Sequence, residues 1–293
     1  LLESNYPNLE VLLVDNGSTP ENSKSLVSAL PKDDRLHVHL IEENIGYAQG
    51  TNNGLAEGLK LNPDFFLILN NDTIIDKNAV KELVSTGLEF GEKALITGKV
   101  YDYVEPNRLQ LVGYKYREKR YNTFIKLGLN EIDEGQFEEV EERDMIDDIF
   151  VLQPVELFKK EKGYSNYFWL NGVNVDLAFR AKNLGYKLIY TPNAKLWHKG
   201  SASIGGRDKN PKLAYWHIQA SLILRYLYLD RFNFCIFYLK TWDSAMRTYF
   251  RSLYNRMTGK RDLKDYSRAK FAGLRYFNKW VWNKTPNDGY NPF

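Results

Sequence analysis

The sequence contains a single cysteine, Cys235, and no apolar run that approaches the ~20 residues needed to span a bilayer. One cysteine excludes a disulfide within the chain. Its neighbours Phe234, Ile236 and Phe237 favour a packed thiol over a nucleophile, and such a thiol fits a reducing compartment. The first residues include no initiator methionine, basic segment or signal-like apolar stretch, so they support no targeting assignment.

A large net charge is also absent, because the formal value of +3 is the balance of two regions of opposite sign. Residues 131–148 contain ten acidic side chains and one arginine, which predicts a solvated helix or loop. Residues 207–284 contain seventeen lysines and arginines against five acids. Apolar residues make up 43% of the 293 residues, which is enough for a globular protein of one or two domains.

Aromatic side chains are interleaved with the basic residues near the C-terminus, with eighteen of them between Tyr215 and Trp282. No RNA- or DNA-binding motif accompanies them, so we expect no nucleic-acid partner. Tryptophan, tyrosine, lysine and arginine suit the headgroup region of a membrane. A membrane-surface segment and a helical subdomain packed through its aromatic residues both remain open.

Strand and helix patterns alternate through the first hundred residues, as in an open α/β sheet that binds ligands beyond the carboxyl ends of its strands. The predicted strands are 9–14, 36–41, 65–69 and 94–101, and the predicted helices are 21–30, 47–60 and 77–90. Later β-like segments lie at 108–116, 121–127 and 186–190, with a helix at 175–184 ended by Gly185. Beyond Gly205-Gly206 the pattern is helical, which predicts domains at 1–205 and 206–293.

Two short segments carry the candidate ligand chemistry. The apolar strand at 65–69, of the kind that a parallel sheet buries on both faces, leads to Asn70, Asn71 and Asp72. Their oxygens suit a hard divalent cation beside a diphosphate, although the same residues are also ordinary turn or N-cap residues for the next helix. Glycines at 46, 50 and 54 have helical spacing and either line a ligand loop or let a helix approach the sheet.

Four motifs in order carry a family resemblance, although each is weak alone. They are Val14-Asp15-Asn16-Gly17-Ser18-Thr19, Glu43-Asn44-Ile45-Gly46-Tyr47-Ala48-Gln49-Gly50-Thr51-Asn52-Asn53-Gly54, Leu69-Asn70-Asn71-Asp72-Thr73 and Trp197-His198-Lys199-Gly200-Ser201-Ala202-Ser203. In this order they resemble the family 2 glycosyltransferases, particularly the rhamnosyltransferase-like branch, over roughly residues 1–205.

The resemblance implies a GT-A fold, which is a Rossmann-like open mixed α/β sheet with helices on both faces. It implies that Asp15 hydrogen-bonds the donor base, and that Asp72 and His198 hold Mn²⁺ or Mg²⁺ at the diphosphate. A packed histidine is the alternative at position 198. Family members begin with a strand, a turn and a helix, so we expect the chain, which opens at Leu1, to lack the first strand. The expected donor-binding residues are Asp15, Asn16, Asn44, Gly46, Asn70, Asn71 and Asp72.

The acceptor side departs from the family pattern. Inverting members carry Glu-Asp-x-Asp-Leu ahead of a helix, and one of these acids is the general base. Val173 and Asn174 replace the first two acids here, and neither accepts a proton usefully at neutral pH. Asp176 survives, as a catalytic candidate or as a helix cap. Asp148, next to Asp147, lies where the family has small residues and is a candidate substitute base or a filler of the acceptor pocket.

The resemblance therefore predicts a metal-dependent, inverting glycosyltransferase of cell-surface glycan synthesis. We expect a UDP-, dTDP- or GDP-sugar donor, a polysaccharide or lipid-linked acceptor, and a cytoplasmic protein that is peripheral on the inner face of the plasma membrane. The alternative is a non-catalytic relative that binds the nucleotide or acts as a scaffold. A nucleotidyltransferase is a third possibility, which the motif at 197–203 disfavours.

Overall fold

A computed structural model describes residues 1–200 and 209–293. Within them, the strands are β1 (Val11–Asn16), β2 (Leu36–Ile41), β3 (Phe65–Leu69), β4 (Thr73–Ile75), β5 (Ala94–Asp102), β6 (Leu109–Leu111), β7 (Tyr114–Glu118), β8 (Thr123–Lys126), β9 (Glu141–Glu142), β10 (Phe150–Pro154) and β11 (Lys187–His198). The helices are α1 (Pro20–Ala29), α2 (Gly46–Gly58), α3 (Ala79–Glu89), α4 (Val155–Glu161), α5 (Val173–Asn183), α6 (Pro211–Tyr228), α7 (Arg231–Met257) and α8 (Lys264–Asn283).

The chain divides into two compact units, one α/β and one helical. The α/β unit comprises Leu1–Lys115, Phe124–Ser165 and Asn174–Gly200. The helical unit contains α6, α7 and α8 together with the earlier segments Tyr116–Thr123 and Asn166–Val173. The domain boundary predicted at Gly205-Gly206 lies outside the described residues.

A mixed sheet of seven strands is the centre of the α/β unit. Its order is β3-β10-β5-β11-β4, with β6 beside β5 and β9 beside β11. β11 runs parallel to β5 and antiparallel to β4, and β10 runs antiparallel to both of its neighbours. β1 and β2 form a separate parallel pair. The parallel environment predicted for the strand at 65–69 is wrong, because β3 is an edge strand with an antiparallel partner.

Helices cover both faces of β3, as predicted for the fold class. The Phe65 ring lies against Gly87 of α3, and the Phe66 ring lies against Gly58 of α2. A Cβ atom at Gly54 would lie only 2.5 Å from Val14 of β1. The glycines of α2 therefore let this helix pack closely on the strands, which is one of the two interpretations that the sequence offered.

The elements predicted in the first hundred residues are confirmed within a few residues, whereas β4, β9, β10 and α4 were not predicted. β10 passes directly into α4 at Pro154, without the turn residues that would mark two elements in the sequence. The strand predicted at 186–190 continues to His198, because a register shift between Tyr190 and Lys195 lets it resume pairing with β5.

The acidic segment at 131–148 is not simply a solvated helix or loop. The ammonium group of Lys99 is fully buried in β5 and forms ion pairs with Asp133, at 2.9 Å, and with Glu138. Arg143 is also buried and pairs with Glu141 at the start of β9. Part of the acidic charge therefore neutralises buried cations, whose desolvation would otherwise be costly.

The helical unit packs mainly through aromatic side chains. Trp280 is buried and makes edge contacts with Tyr167 and Tyr226, while Trp169 stacks on Trp216 at 6.1 Å. Cys235 is exposed on α7, so the prediction of a packed thiol is wrong. The described helices include none with the length and apolarity needed to cross a membrane.

Candidate active site

The end of β1 is tied to the start of α2 by Asn16. Its amide nitrogen donates to the Gly46 carbonyl at 2.9 Å, and its amide oxygen accepts from the Ile45 N–H at 3.2 Å. Asn44 also supports this turn, because its side-chain oxygen accepts from the Gly46 N–H at 2.9 Å. Gly46 has φ of +82°, a conformation that favours glycine. Three predicted donor-binding residues thus build one loop.

Asp15 lies beside this loop and is buried. Its Oδ1 accepts from the backbone N–H of Ser18 at 3.1 Å, and its Oδ2 accepts from the hydroxyl of Ser23 at 2.5 Å. Hydrogen bonds from Ser18 and Ser23 lower the pKa of the Asp15 carboxyl. Asp15 is therefore an ionised hydrogen-bond acceptor, which suits an N–H group of a nucleotide base. Each of its carboxylate oxygens keeps a further lone pair for such a ligand.

Asp72 and His198 meet because their strands are neighbours in the sheet. β11 ends at His198, which is paired with Thr73 of β4, and Asp72 immediately precedes Thr73. The Nε2 atom of His198 lies 3.1 Å from Oδ1 of Asp72. The turn itself is closed by the Thr73 hydroxyl, which donates to the Asn70 carbonyl at 2.6 Å. The N-cap alternative for this turn is wrong, because β4 separates it from α3.

The other nitrogen of His198 faces Gln110. Nδ1 lies 3.0 Å from Oε1 of Gln110, while Nε2 of Gln110 donates to the backbone carbonyl of His198 at 2.8 Å. The same amide nitrogen donates to Oδ2 of Asp102 at 3.1 Å. Asp102 ends β5 in register with His198, and Gln110 lies on β6. Neither residue was predicted, because no motif in the sequence marks it.

The oxygen and nitrogen donors of Asp72 and His198 fit a divalent cation such as Mn²⁺. Within the described part of the chain, no cluster of three or more His, Cys, Asp or Glu side chains is arranged to hold a metal ion. The pair would therefore need oxygen atoms from a bound diphosphate to complete a coordination shell. Asn70 and the exposed Asn71 flank this position in the same turn.

A second acidic group lies next to the same turn. β10 pairs with β3 so that Phe150 faces Leu69, and the Asn70 N–H donates to the Ile149 carbonyl at 3.1 Å. This register brings Asp148, two residues before Phe150, to the strand end that carries Asp72. The predicted metal-binding and acceptor-side carboxylates therefore belong to one edge of the sheet.

Asp148 is held among tyrosines. Tyr47 comes from the first turn of α2, and the ring of Tyr164 lies 6.0 Å from it. The Asp148 Oδ2 atom is buried, although the residue as a whole is partly exposed. Burial, followed by the negative charge of Asp147, raises the pKa of the Asp148 carboxyl to about 7. Burial and the Asp148 carboxylate likewise raise the pKa of both tyrosines.

Tyr164 is positioned by Asn52 of α2. The Asn52 amide accepts from the Tyr164 N–H at 2.7 Å and donates to the Tyr164 carbonyl at 2.8 Å. Both tyrosines are therefore anchored to α2, Tyr47 as one of its residues and Tyr164 through Asn52. Tyr47 and Asn52 lie inside the second motif, which is the sequence signal that could have drawn attention to them.

Asp176 occupies a different environment from Asp148. It lies in the first turn of α5, is buried, and its Oδ2 accepts from Nε of Arg180 at 2.9 Å. Arg180 also pairs with Glu161 at 2.7 Å. This ion-pair network favours the structural role of Asp176 over the catalytic one. Val173 is buried, and Asn174 is partly exposed.

Comparison with known proteins identifies the family. A family model described as Glycosyl transferase family 2 matches residues 1–148 of the 293 residues. The chain belongs to glycosyl transferase family 2. The matched part of this family 2 chain contains Asp15, the loop held by Asn16 and Asn44, Asp72, Gln110 and Asp148. His198 and Asp176 lie beyond it.

One curated protein and one solved structure are similar to this chain. Glycosyltransferase GlyG of Streptococcus pneumoniae serotype 4 (strain ATCC BAA-334 / TIGR4) is 29% identical over 107 residues, which are 36% of this chain and 34% of GlyG. The crystal structure of GalNAc-T7 with UDP, GalNAc and Mn²⁺ has a TM-score of 0.57 and 11% identity, over 94% of this chain and 51% of that chain. The family 2 chain thus spans between a third and about half of these proteins and has a GT-A-like fold.

Proposed function

We propose that this family 2 chain is a metal-dependent, inverting glycosyltransferase that uses a UDP-, dTDP- or GDP-sugar. The observation that carries the proposal is the pairing of Asp72 with His198 at adjacent strand ends, beside the loop of Asp15 and Asn16. The similar structure of GalNAc-T7 with UDP, GalNAc and Mn²⁺ supports both the donor class and a divalent metal. We further propose a polysaccharide or lipid-linked acceptor and a role in cell-surface glycan synthesis.

The residues divide the chemistry between them. Asp15 accepts a hydrogen bond from the donor base, and Asp72 with His198 holds Mn²⁺ or Mg²⁺, which supplies Lewis-acid stabilisation of the diphosphate leaving group. Asp148 replaces the acidic pair lost at Val173 and Asn174, and removes the proton from the acceptor hydroxyl. Its pKa near 7 suits a general base at neutral pH. Asp176 holds α5 through Arg180.

Thermal shifts with UDP-, GDP-, dTDP- and CMP-sugars, each with and without Mn²⁺, test the donor site. We expect one nucleotide class to raise the melting temperature in Mn²⁺ only, because ligand binding to the folded state stabilises it by mass action. At a ligand concentration 100 times Kd the stabilisation is about 2.7 kcal/mol. The absence of a shift with every donor contradicts the proposal.

A non-catalytic, nucleotide-binding or scaffold role is the second candidate. This non-catalytic role is favoured by Val173, an apolar and buried residue at a position where the resemblance implies an acid. It predicts the same thermal shift without sugar transfer or donor hydrolysis. A radiolabelled-donor assay over hours distinguishes the two functions, since the catalytic proposal requires labelled product or free sugar.

We also propose that the outer face of α7 contacts an anionic membrane surface. α7 buries only Ala245 and Ser252 among its 27 residues. Its opposite side exposes apolar residues at intervals of seven or four residues, which helical periodicity places in one stripe. This outer face comprises Phe232, Leu239, Met246, Phe250 and Met257, of which Phe232, Leu239 and Met257 are 68%, 66% and 87% exposed.

Charge on α7 favours lipid over a second copy of the chain as the partner. α7 contains five basic residues and one acid, Asp243, which is already paired with Arg247 at 2.7 Å. Two such helices packed together would bring like charges close, whereas anionic headgroups attract them at about 1 kcal/mol per basic residue. Lysine and arginine stems can also extend from the apolar stripe to the headgroups.

Vesicle sedimentation tests the outer face of α7. We expect binding to phosphatidylglycerol vesicles, weaker binding at high salt, and little binding to phosphatidylcholine alone. Leu239→Ser with Phe250→Ser should weaken the binding about tenfold or more, because both buried apolar side chains are lost. Leu88→Ser, at an exposed leucine of α3, is the control that should not change it. Salt-insensitive dimerisation without vesicle binding contradicts the proposal.

A further inference from the structure

The orientation of the Gln110 amide is determined by its surroundings. One end of the amide faces two groups that only accept hydrogen bonds, the Asp102 carboxylate at 3.1 Å and the His198 carbonyl at 2.8 Å. That end must be the NH₂ group. Several hydrogen bonds, the largest effect coming from the Glu105 N–H, also lower the pKa of Asp102 and keep it an acceptor. The other end of Gln110 must therefore be the carbonyl oxygen.

This orientation decides which nitrogen of His198 carries hydrogen. The Gln110 oxygen, 3.0 Å from Nδ1, cannot donate, so Nδ1 must be the protonated nitrogen. In neutral imidazole the lone pair then belongs to Nε2, the atom that lies 3.1 Å from the Asp72 carboxylate. Nε2 of His198 and Oδ1 of Asp72 are then two neighbouring atoms that can both bind one divalent cation.

We infer that Gln110, oriented by Asp102, is a positioning residue that holds His198 in the Nδ1–H tautomer and thereby prepares Nε2 and Asp72 for a divalent cation. The inference rests on the proposed function and adds two residues to the site. Partners that fix a ligating histidine in this way typically change metal affinity 10- to 100-fold when removed. Neither residue touches the reacting atoms in this scheme.

The tautomer is measured first on the metal-free protein. The chain has only four histidines, so ¹⁵N-histidine labelling with a His198→Gln variant for assignment gives a readable spectrum. At pH 9 we expect Nδ1 of His198 to be protonated in the wild type. Gln110→Leu should lose this single tautomer and give a mixture. An Nε2–H tautomer in the wild type, or no change in Gln110→Leu, overturns the inference.

Mn²⁺ affinity in the presence of UDP is the second readout, measured by electron paramagnetic resonance. We expect Gln110→Leu to weaken binding 10- to 100-fold. Asp102→Asn should weaken binding less than Gln110→Leu, because Gln110 then still donates to the His198 carbonyl and still accepts from Nδ1. A Gln110→Leu variant that loses the single Nδ1–H tautomer but keeps the wild-type Mn²⁺ affinity contradicts the tautomer mechanism.

Gln136→Leu is a matched control. Gln136 also bridges a carboxylate and a carbonyl, donating to Glu131 at 3.3 Å and to Ile132 at 2.8 Å. Its removal should leave both readouts unchanged. A wild-type chain that shows the Nδ1–H tautomer but binds no Mn²⁺ contradicts the proposed metal function and leaves the assignment of Gln110 intact, so the two failures are distinguishable.

Discussion

Asp72→Asn is expected to reduce sugar transfer about 10³-fold or more and to remove the Mn²⁺ dependence of donor binding. Asp72 and His198 are the two side chains proposed to bind the cation, and Asp72 supplies the negatively charged one. Lewis-acid stabilisation of a leaving group is worth several kcal/mol, and ~4 kcal/mol corresponds to about 10³-fold in rate. The measurements are initial rates and the thermal shift with donor, each with and without Mn²⁺.

Asp64→Asn provides the matched control for this loss. Asp64 is exposed and precedes β3, whereas Asp72 follows the same strand, so the two carboxylates lie at opposite ends of one element. We expect Asp64→Asn to retain the rate and the metal dependence. If Asp72→Asn still shows a donor shift that requires Mn²⁺, the assignment of the metal site is wrong.

Asp148→Asn is expected to reduce the rate of transfer 10²- to 10⁴-fold while donor binding remains, because a positioned general base contributes about that much. The wild-type rate should increase with pH up to about 7, since the carboxyl must lose its proton to act as the base. Asp147→Asn removes the neighbouring negative charge, so the rise of the rate with pH should move to lower pH. The readout is kcat/KM from pH 5 to 9.

As pH rises from about 4 to about 7, the free energy of unfolding of the wild type should decrease while its rate of transfer increases. Because the pKa of Asp148 is raised from 3.8 to about 7, the folded state binds a proton more tightly than the unfolded state. The wild type therefore loses stability as pH rises from about 4 to about 7. Asp148→Asn stays neutral, so it should melt several degrees above the wild type at pH 8 and near it at pH 4. A variant that is both less stable at pH 8 and unchanged in rate contradicts the role of Asp148.

Much of the proposed donor site was predictable because it depends on local sequence. The predicted strands placed Asp15 near the carboxyl end of β1 and Asp72 just after β3, and the glycine spacing marked α2 as a closely packed helix. The pairing of Asp72 with His198 followed only from the resemblance, since 126 residues separate them. No periodicity in the sequence could reveal that β4 and β11 are neighbours.

The acceptor half was less predictable. Asp148 was a candidate because two acids stood where the resemblance implied small residues, but its tyrosine surroundings depend on α2 and on the segment after α4. β10 and α4 were missed because no turn residues separate them. The exposure of Cys235 was also missed, since its apolar neighbours face the helical unit while Cys235 itself faces outward from α7.

The sequence by itself determined the alternation of strands and helices, the order of the four motifs and the opposite charges of the acidic and C-terminal segments, because each depends on residues close together in the chain. Tertiary structure alone decided the environment of each ionisable group. Strand order and register brought Asp102, Gln110, His198 and Asp72 into one series of side-chain contacts. Burial then raised the pKa of Asp148, since desolvation depends on what surrounds a group in space.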